Sequence, residues 1–141
     1  MGSRSATELL LLPVQLNGIR LGRPVDLLLD AGAWRALGFV VLCGDDSRRF
    51  LPFAAAELES DEIGVPSALL LLEDVDFYQS RSRSMRGLLG GVVVSGRDEL
   101  WELRDLLLAA NGSAEALVVE QGGAVYDVDP GNATIELVSA A

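Results

Sequence analysis

The sequence predicts a mainly β protein built from small barrel-like units, internally duplicated, with at most one or two short helices. Three observations point there. The chain repeats itself: Val14 to Gly18 recurs as Val92 to Gly96 at an offset of 78 residues, and Asp26-Leu27-Leu28-Leu29 recurs as Asp105-Leu106-Leu107-Leu108 at 79. Ala36-Leu37 returns at Ala116-Leu117 and Pro52 at Pro130, at offsets of 80 and 78, so one period survives small loop insertions. A period this long, present twice, indicates a duplicated small domain rather than a stacked array. The apolar runs are short and carry the Val and Phe residues that suit a pleated surface. Turn-forming residues separate them every several positions, which is the spacing of a small barrel or tightly coiled sheet.

Along the chain, Leu9 to Leu16 is apolar and leads into Asn17-Gly18, the dipeptide that best tolerates two positive φ angles in a tight hairpin. A return strand follows, with Pro24 to Leu29 as its short apolar part, ending at Asp30-Ala31-Gly32. Trp34 to Leu42 is the longest extended candidate. Gly44-Asp45-Asp46 supplies turn chemistry before Arg48 to Phe53, where Pro52 belongs at a strand end or edge. Ala54 to Glu59 has room for one helical turn, and Glu62 to Val65 and Ala68 to Leu72 are short apolar pieces divided by Pro66-Ser67. Leu88 to Val94, Ala116 to Val119, Ala124 to Val128 and Thr134 to Val138 read as strands, with turns at Gly122-Gly123 and Pro130-Gly131-Asn132. Asp98 to Ala110 carries two signals. Leu100, Leu103, Leu106 and Leu107 follow a helical period, with acids in the first turn and Asn111-Gly112 as a C-cap. The repeat instead aligns Asp105 to Leu108 with a strand, and favours strand at Leu103 to Leu108.

Charge divides the chain. Residues 1–76 carry a net −6, residues 77–97 carry +4 and residues 98–141 carry −8. Ser80-Arg81-Ser82-Arg83-Ser84 has neither apolar period nor strand formers and reads as a linker. The expected organisation is a first unit over 8–76, a basic connector over 77–86 and a second unit over 87–139.

The total of −10 and a pI near 4.3 oppose general binding to nucleic acid or anionic lipid, both of which need a cationic footprint. Every basic residue is Arg, with no Lys and no His, a bias expected of a high-GC bacterial genome. Without those two residue types the chain has no Ser-His or Cys-His nucleophile pair, Schiff-base lysine, Walker-type phosphate loop or histidine metal site. Cys43 stands alone, so neither an internal disulfide nor a cysteine zinc cage is available, and it reads as a buried structural thiol. The run Leu9 to Leu12 stops at Pro13, too short for a signal-peptide core, and no stretch approaches the ~20 apolar residues of a membrane span. A cytoplasmic protein is expected.

The run Leu16-Asn17-Gly18-Ile19-Arg20-Leu21-Gly22-Arg23-Pro24-Val25-Asp26-Leu27-Leu28-Leu29-Asp30 resembles the PRC-barrel family. That family includes the cytoplasmic barrel of the photosynthetic reaction-centre H subunit and the carboxy-terminal domain of the ribosome maturation factor. Its hairpin Gly, Leu/Ile-Gly pair, hydrophobic-Asp step, paired strands and apolar-Pro-aromatic step look like Gly18, Leu21-Gly22, Val25-Asp26, Leu27 to Leu29 with Leu37 to Leu42, and Leu51-Pro52-Phe53. The match covers residues 8–72. In the second half Gly96, Leu100, Asp105 to Leu108, Leu117 to Glu120 and Val128-Asp129-Pro130 follow the same run. Trp101 stands where the pair's Gly should be, and Asp129 replaces the apolar residue before Pro130, which makes the second copy either degenerate or truncated. The resemblance implies a small β-barrel used for interaction and does not imply catalysis.

Carboxylates are what remains for acid, base or metal chemistry. Asp45-Asp46, Asp74 with Asp76, and Asp127 with Asp129 are the pairs, the last spaced to share one face of a strand. None matches a calcium loop, and solvated turn acids are the plainer reading. Gly87, Gly90 and Gly91 lack dinucleotide or P-loop spacing and suggest a bulge or tight corner. Asn111-Gly112-Ser113 and Asn132-Ala133-Thr134 match the glycosylation sequon but read as turns. Trp34 and Trp101 suit core or rim packing.

The sharpest candidate is Ser80 to Arg86 with the aromatic pair before it. Phe77, Tyr78, Arg81, Arg83 and Arg86 could form a docking segment for an acidic partner, or its serines could be phosphorylated. The plainer reading is a solvated hinge whose arginines pair loosely with the acidic halves. The functional expectation is a non-enzymatic protein-interaction or adaptor module, with no cofactor, no direct nucleic-acid contact and no membrane insertion, and with homo-oligomerisation open. The alternatives are a ribosome-associated maturation or assembly factor and a carboxylate-based metal protein or hydrolase.

Overall fold

The computed structural model describes residues 3–30, 32–95 and 100–136. Arg97, the Asp98-Glu99 pair, Ala31 of the first turn, and the ends of the last expected strand and of the second unit lie outside the described residues.

Arg4–Ser5 (β1) and Ala6–Leu9 (α1) lead into the hairpin Val14–Leu16 (β2) and Ile19–Asp30 (β3), turned at Asn17 and Gly18 with φ of 49° and 81°. That turn is the one the Asn-Gly dipeptide predicts. Arg35–Cys43 (β4) and Arg48–Pro52 (β5) continue the meander, with Pro52 at the strand end as expected. A 3₁₀ turn over Phe53–Ala55 precedes Glu57–Leu58 (β6) and Ile63–Gly64 (β7). A second 3₁₀ turn, Ala68–Leu70, precedes Val75–Gln79 (α2). Arg83–Ser84 (β8), Met85–Leu88 (α3), Val92–Ser95 (β9), Leu100–Leu108 (β10), Ala114–Gln121 (β11), Ala124–Val128 (β12) and Ala133–Glu136 (β13) complete the chain.

The class is mainly β, as predicted. The helices α1, α2 and α3 span only four or five residues each, one more helix than expected. Of the two signals in Asp98 to Ala110, the repeat was the reliable one: Leu103 to Leu108 lies in β10 because alternate residues Leu106 and Leu108 point into the core. Two expectations are corrected. The strand expected from Leu88 begins only at Val92, because Ser84 Oγ accepts from Gly87 N and caps α3. The longest strand is β3, with 12 residues, which carries Pro24 beside a bulge.

The strands form two curled sheets of matching order. One runs β5-β4-β3-β2-β7-β6 and the other β12-β11-β10-β9-β13. Both repeat copies bulge at the same places: the register shifts at Pro24/Asp26 and Leu28/Leu29 recur at Leu103/Asp105 and Leu107/Leu108, each displaced by 79 residues. The copies also meet as equivalents. Ala36 N donates to Gly112 O and Ala114 N to Trp34 O, both at 2.8 Å, around the bridge between Arg35 and Ser113. Trp34 and Gly112 occupy corresponding sites, and both have positive φ, 50° and 90°. These reciprocal bonds join equivalent positions of the two copies, so Ala36 corresponds to Ala114 and Gly38 to Ala116, rather than Ala36 to Ala116 as the repeat in sequence has it.

One apolar core spans both copies, joining Leu27, Leu29, Phe39 and Leu51 to Leu103, Leu106, Leu117 and Val119. Trp34 is buried in it and Trp101 is half-buried at its margin. Among the described residues no helix is long and apolar enough to cross a membrane.

Candidate functional site

The short segments that open each copy are exchanged. Strand β1 of the first copy pairs with β10 of the second, Arg4 opposite Leu108, and β8 pairs with β3 of the first, Arg83 opposite Leu29. A two-residue strand has no stability of its own, so something must hold it. In each case that is an aspartate of the opposite copy. Asp105 accepts from Ser5 Oγ, from Thr7 N at 3.0 Å and from Thr7 Oγ1 at 3.0 Å. Asp26 accepts from Ser84 Oγ and from Arg86 N at 3.1 Å. Each aspartate also accepts from the amide that follows it, Leu106 N at 2.7 Å and Leu27 N at 2.8 Å. The serines in turn cap their helices, Ser5 Oγ accepting from Glu8 N and Ser84 Oγ from Gly87 N. A carboxylate beside the free amides of a helix start is favoured electrostatically as well as by its hydrogen bonds. Sequence reasoning found Asp26 and Asp105 as repeat partners but missed this clasp. The signal was available, since Arg4-Ser5 and Arg83-Ser84 stand 79 residues apart.

That exchange orders the expected connector. The span 77–86 holds the end of α2, all of β8 and the start of α3, so it is paired backbone rather than a solvated hinge. Its five candidate residues divide into two groups. Tyr78 packs inward, its ring stacked on Phe50 at 4.0 Å and 10°. Arg86 is tied down, its Nε donating to Val25 O and its main-chain N to Asp26. Phe77 is 45% exposed, and the Arg81 guanidinium lies 3.8 Å from its ring centroid, held there by a 3.1 Å bond from Arg81 Nη1 to Phe77 O. Arg83 is exposed on β8. Arg81 and Arg83, with Ser80, Ser82, Leu29 and Asp30, line an open depression of about 370 Å³. The cationic and aromatic groups in this rim are therefore presented to solvent by a scaffold that Tyr78 and Arg86 anchor.

Of the paired carboxylates, Asp45 and Asp129 hold turns, while Asp74 and Asp76 stand at the start of α2. Asp45 accepts from the Ser47 hydroxyl and from Ser47 N, and these bonds hold its carboxyl below the usual range. Asp129 Oδ1 accepts from Gly131 N at 2.9 Å, while Asp127 is exposed on β12. Among the described residues no group of His, Cys, Asp or Glu is arranged to hold a metal ion. Gly90, with φ of 83°, turns the chain directly after α3, and Gly91 follows so closely that a Cβ would lie 2.8 Å from Leu88 O. The glycines thus make a tight corner at a helix end rather than within a barrel strand. Cys43 is half-buried, not fully buried, and burial pushes its thiol pKa up, against the pull of Arg49.

Comparison of the chain with protein-family models finds no match, and no curated protein matches it either.

Proposed function

We propose that the chain is a non-enzymatic, PRC-barrel-like interaction or adaptor module of the bacterial cytosol that engages an acidic protein partner through the rim of α2 and β8. The observation that supports this most strongly is the division of the basic segment. Tyr78 and Arg86 are spent on packing and backbone contacts, whereas Phe77, Arg81 and Arg83 stand outward, the two arginines lining one depression. An exposed aromatic with a guanidinium over its face is a compact anchor for a surface rich in carboxylates, because Arg offers a planar fork of donors. The chain's overall −10 makes such a local basic rim selective: approach elsewhere on the molecule is repelled.

The test is affinity capture from bacterial cytosol with wild-type protein and an Arg81→Ala/Arg83→Ala double variant. Arg86 is left intact because it holds Val25 O. The expected result is an acidic partner retained by the wild type, released by moderate salt and lost with the double variant. Retention of the same partners by both proteins would remove the rim from the proposal.

A further inference from the structure

We propose that β12 and the outer face of its sheet form a second docking surface, one that takes an extended, basic and apolar segment of another protein as an added strand. The site is separate from the α2 and β8 rim and does not depend on it. Its warrant is that the molecule already performs this docking once, on itself. In the first copy, Phe50 of the outermost strand β5 exchanges both backbone hydrogen bonds with Leu72, each at 2.8 Å. The chain then turns into α2, which lays Val75 and Tyr78 over Phe50, so Leu28 and Val40 on that face are 2% and 1% exposed.

In the second copy the same edge has no such cover among the described residues. The register Val40 opposite Phe50 corresponds to Val118 opposite Asp127, and Leu28 opposite Gly38 to Leu107 opposite Ala116. The outward-facing N–H and C=O that Leu72 satisfies at Phe50 therefore fall at Asp127. Strand β12 is outermost in its sheet, with Val125 63% and Tyr126 49% exposed. An apolar edge with unpaired backbone groups is a template for strand addition.

Charge selects the occupant. Where the first copy has Phe50 the second has Asp127, and beside it on the sheet Glu120 and Glu102 share the single guanidinium of Arg104. Three carboxylates against one cation leave this face acidic. A second copy of the chain, itself at −10, is a poor fit by like-charge repulsion. A strand alternating apolar and basic side chains fits this edge because alternate residues lie on opposite faces: its cations meet Asp127 and Glu120 on the outer face, and its apolar residues lie on the inner face beside Tyr126.

The test uses the full chain with a short synthetic peptide alternating valine and arginine, and a valine–glutamate peptide as control, followed by fluorescence anisotropy and amide NMR shifts. The expected result is saturable binding of the basic peptide only, with the largest shifts at 125–128. Asp127→Arg, which keeps the backbone donor, and Asp127→Pro, which removes it, should each weaken binding at least tenfold. The Arg81→Ala/Arg83→Ala variant should bind the peptide as the wild type does, so failure of one surface is distinguishable from failure of the other. Asp127→Arg is an exposed change and serves if the proline variant unfolds. Undiminished binding by Asp127→Arg, equal binding of the acidic peptide, shifts centred on 77–86, or dimerisation of the free chain through β12 would each overturn the proposal.

Discussion

The first copy of the repeat covers the outer face of its own sheet, whereas among the described residues nothing covers the equivalent face of the second. Leu28 and Val40 are sealed beneath Leu72, Val75 and Tyr78, while Leu107 and Val118, which occupy the same register positions, are only half-buried. After β5 and after β12 alike the chain makes a 3₁₀ turn and adds a strand, β7 beside β2 and β13 beside β9; the first copy then has the segment 66–79, which folds back over β5. The two sheets thus share one frame of registers, and the intervening segment covers only the first of them. The inner faces did not diverge in this way, because both contribute to the single shared core.

The comparison can be broken most forcefully at the clasp. If the copies are true equivalents, Asp26→Ala and Asp105→Ala should each cost about 2–4 kcal/mol, since each removes a charged acceptor from several donors. Urea unfolding midpoints would measure both. Similar losses support the exchanged pairing; a large loss at one site with none at the other would show that only one copy depends on it.

A smaller effect sharpens the contrast between the covered and open faces. Gly38 and Ala116 are register equivalents, but a Cβ on Gly38 would meet Leu51 O at 2.3 Å and the Phe50 ring at 2.5 Å. Gly38→Ala should destabilise by about 1–3 kcal/mol through overpacking. The reverse change, Ala116→Gly, should cost only about 0.5–1 kcal/mol, the ordinary penalty of glycine in a strand. Thermal unfolding of the two variants checks this, and equal losses would show that the Phe50 cover is not what requires glycine.

The smallest expected effect concerns the turns that join corresponding strands. The first copy turns between β4 and β5 on Asp45 bonded to Ser47, whereas the second turns on Gly122-Gly123. Because the folded-state pKa of Asp45 is lowered, its contribution to stability is present above the ordinary carboxylate value and lost as pH falls through the lowered one. NMR titration of the Asp45 carboxyl should show the low value, and Ser47→Ala should return it towards normal.

Much of the fold was legible because it rests on local chemistry. Asn17-Gly18 specifies a tight turn and Pro52 ends a strand. The repeat settled the strand identity of Leu103 to Leu108 where helical periodicity pointed the other way. The candidate site was legible in position only. Its five residues were chosen for charge and aromaticity, and nothing local distinguishes Arg86, bound to Val25 O, from Arg81, stacked on Phe77. Tyr78 and Phe77 are neighbours in sequence and face different surroundings because Phe50, on a distant strand, claims only one of them.

By itself, then, the sequence determined a duplicated, mainly β chain with its turns and principal strands in place, since φ preferences and side-chain alternation act over a few residues. Tertiary structure alone decided that the leading segments exchange between copies and that one sheet face is covered. Strands as short as β1 and β8 have no intrinsic preference strong enough to form. They exist because a carboxylate and a strand edge 54 to 104 residues away receive them.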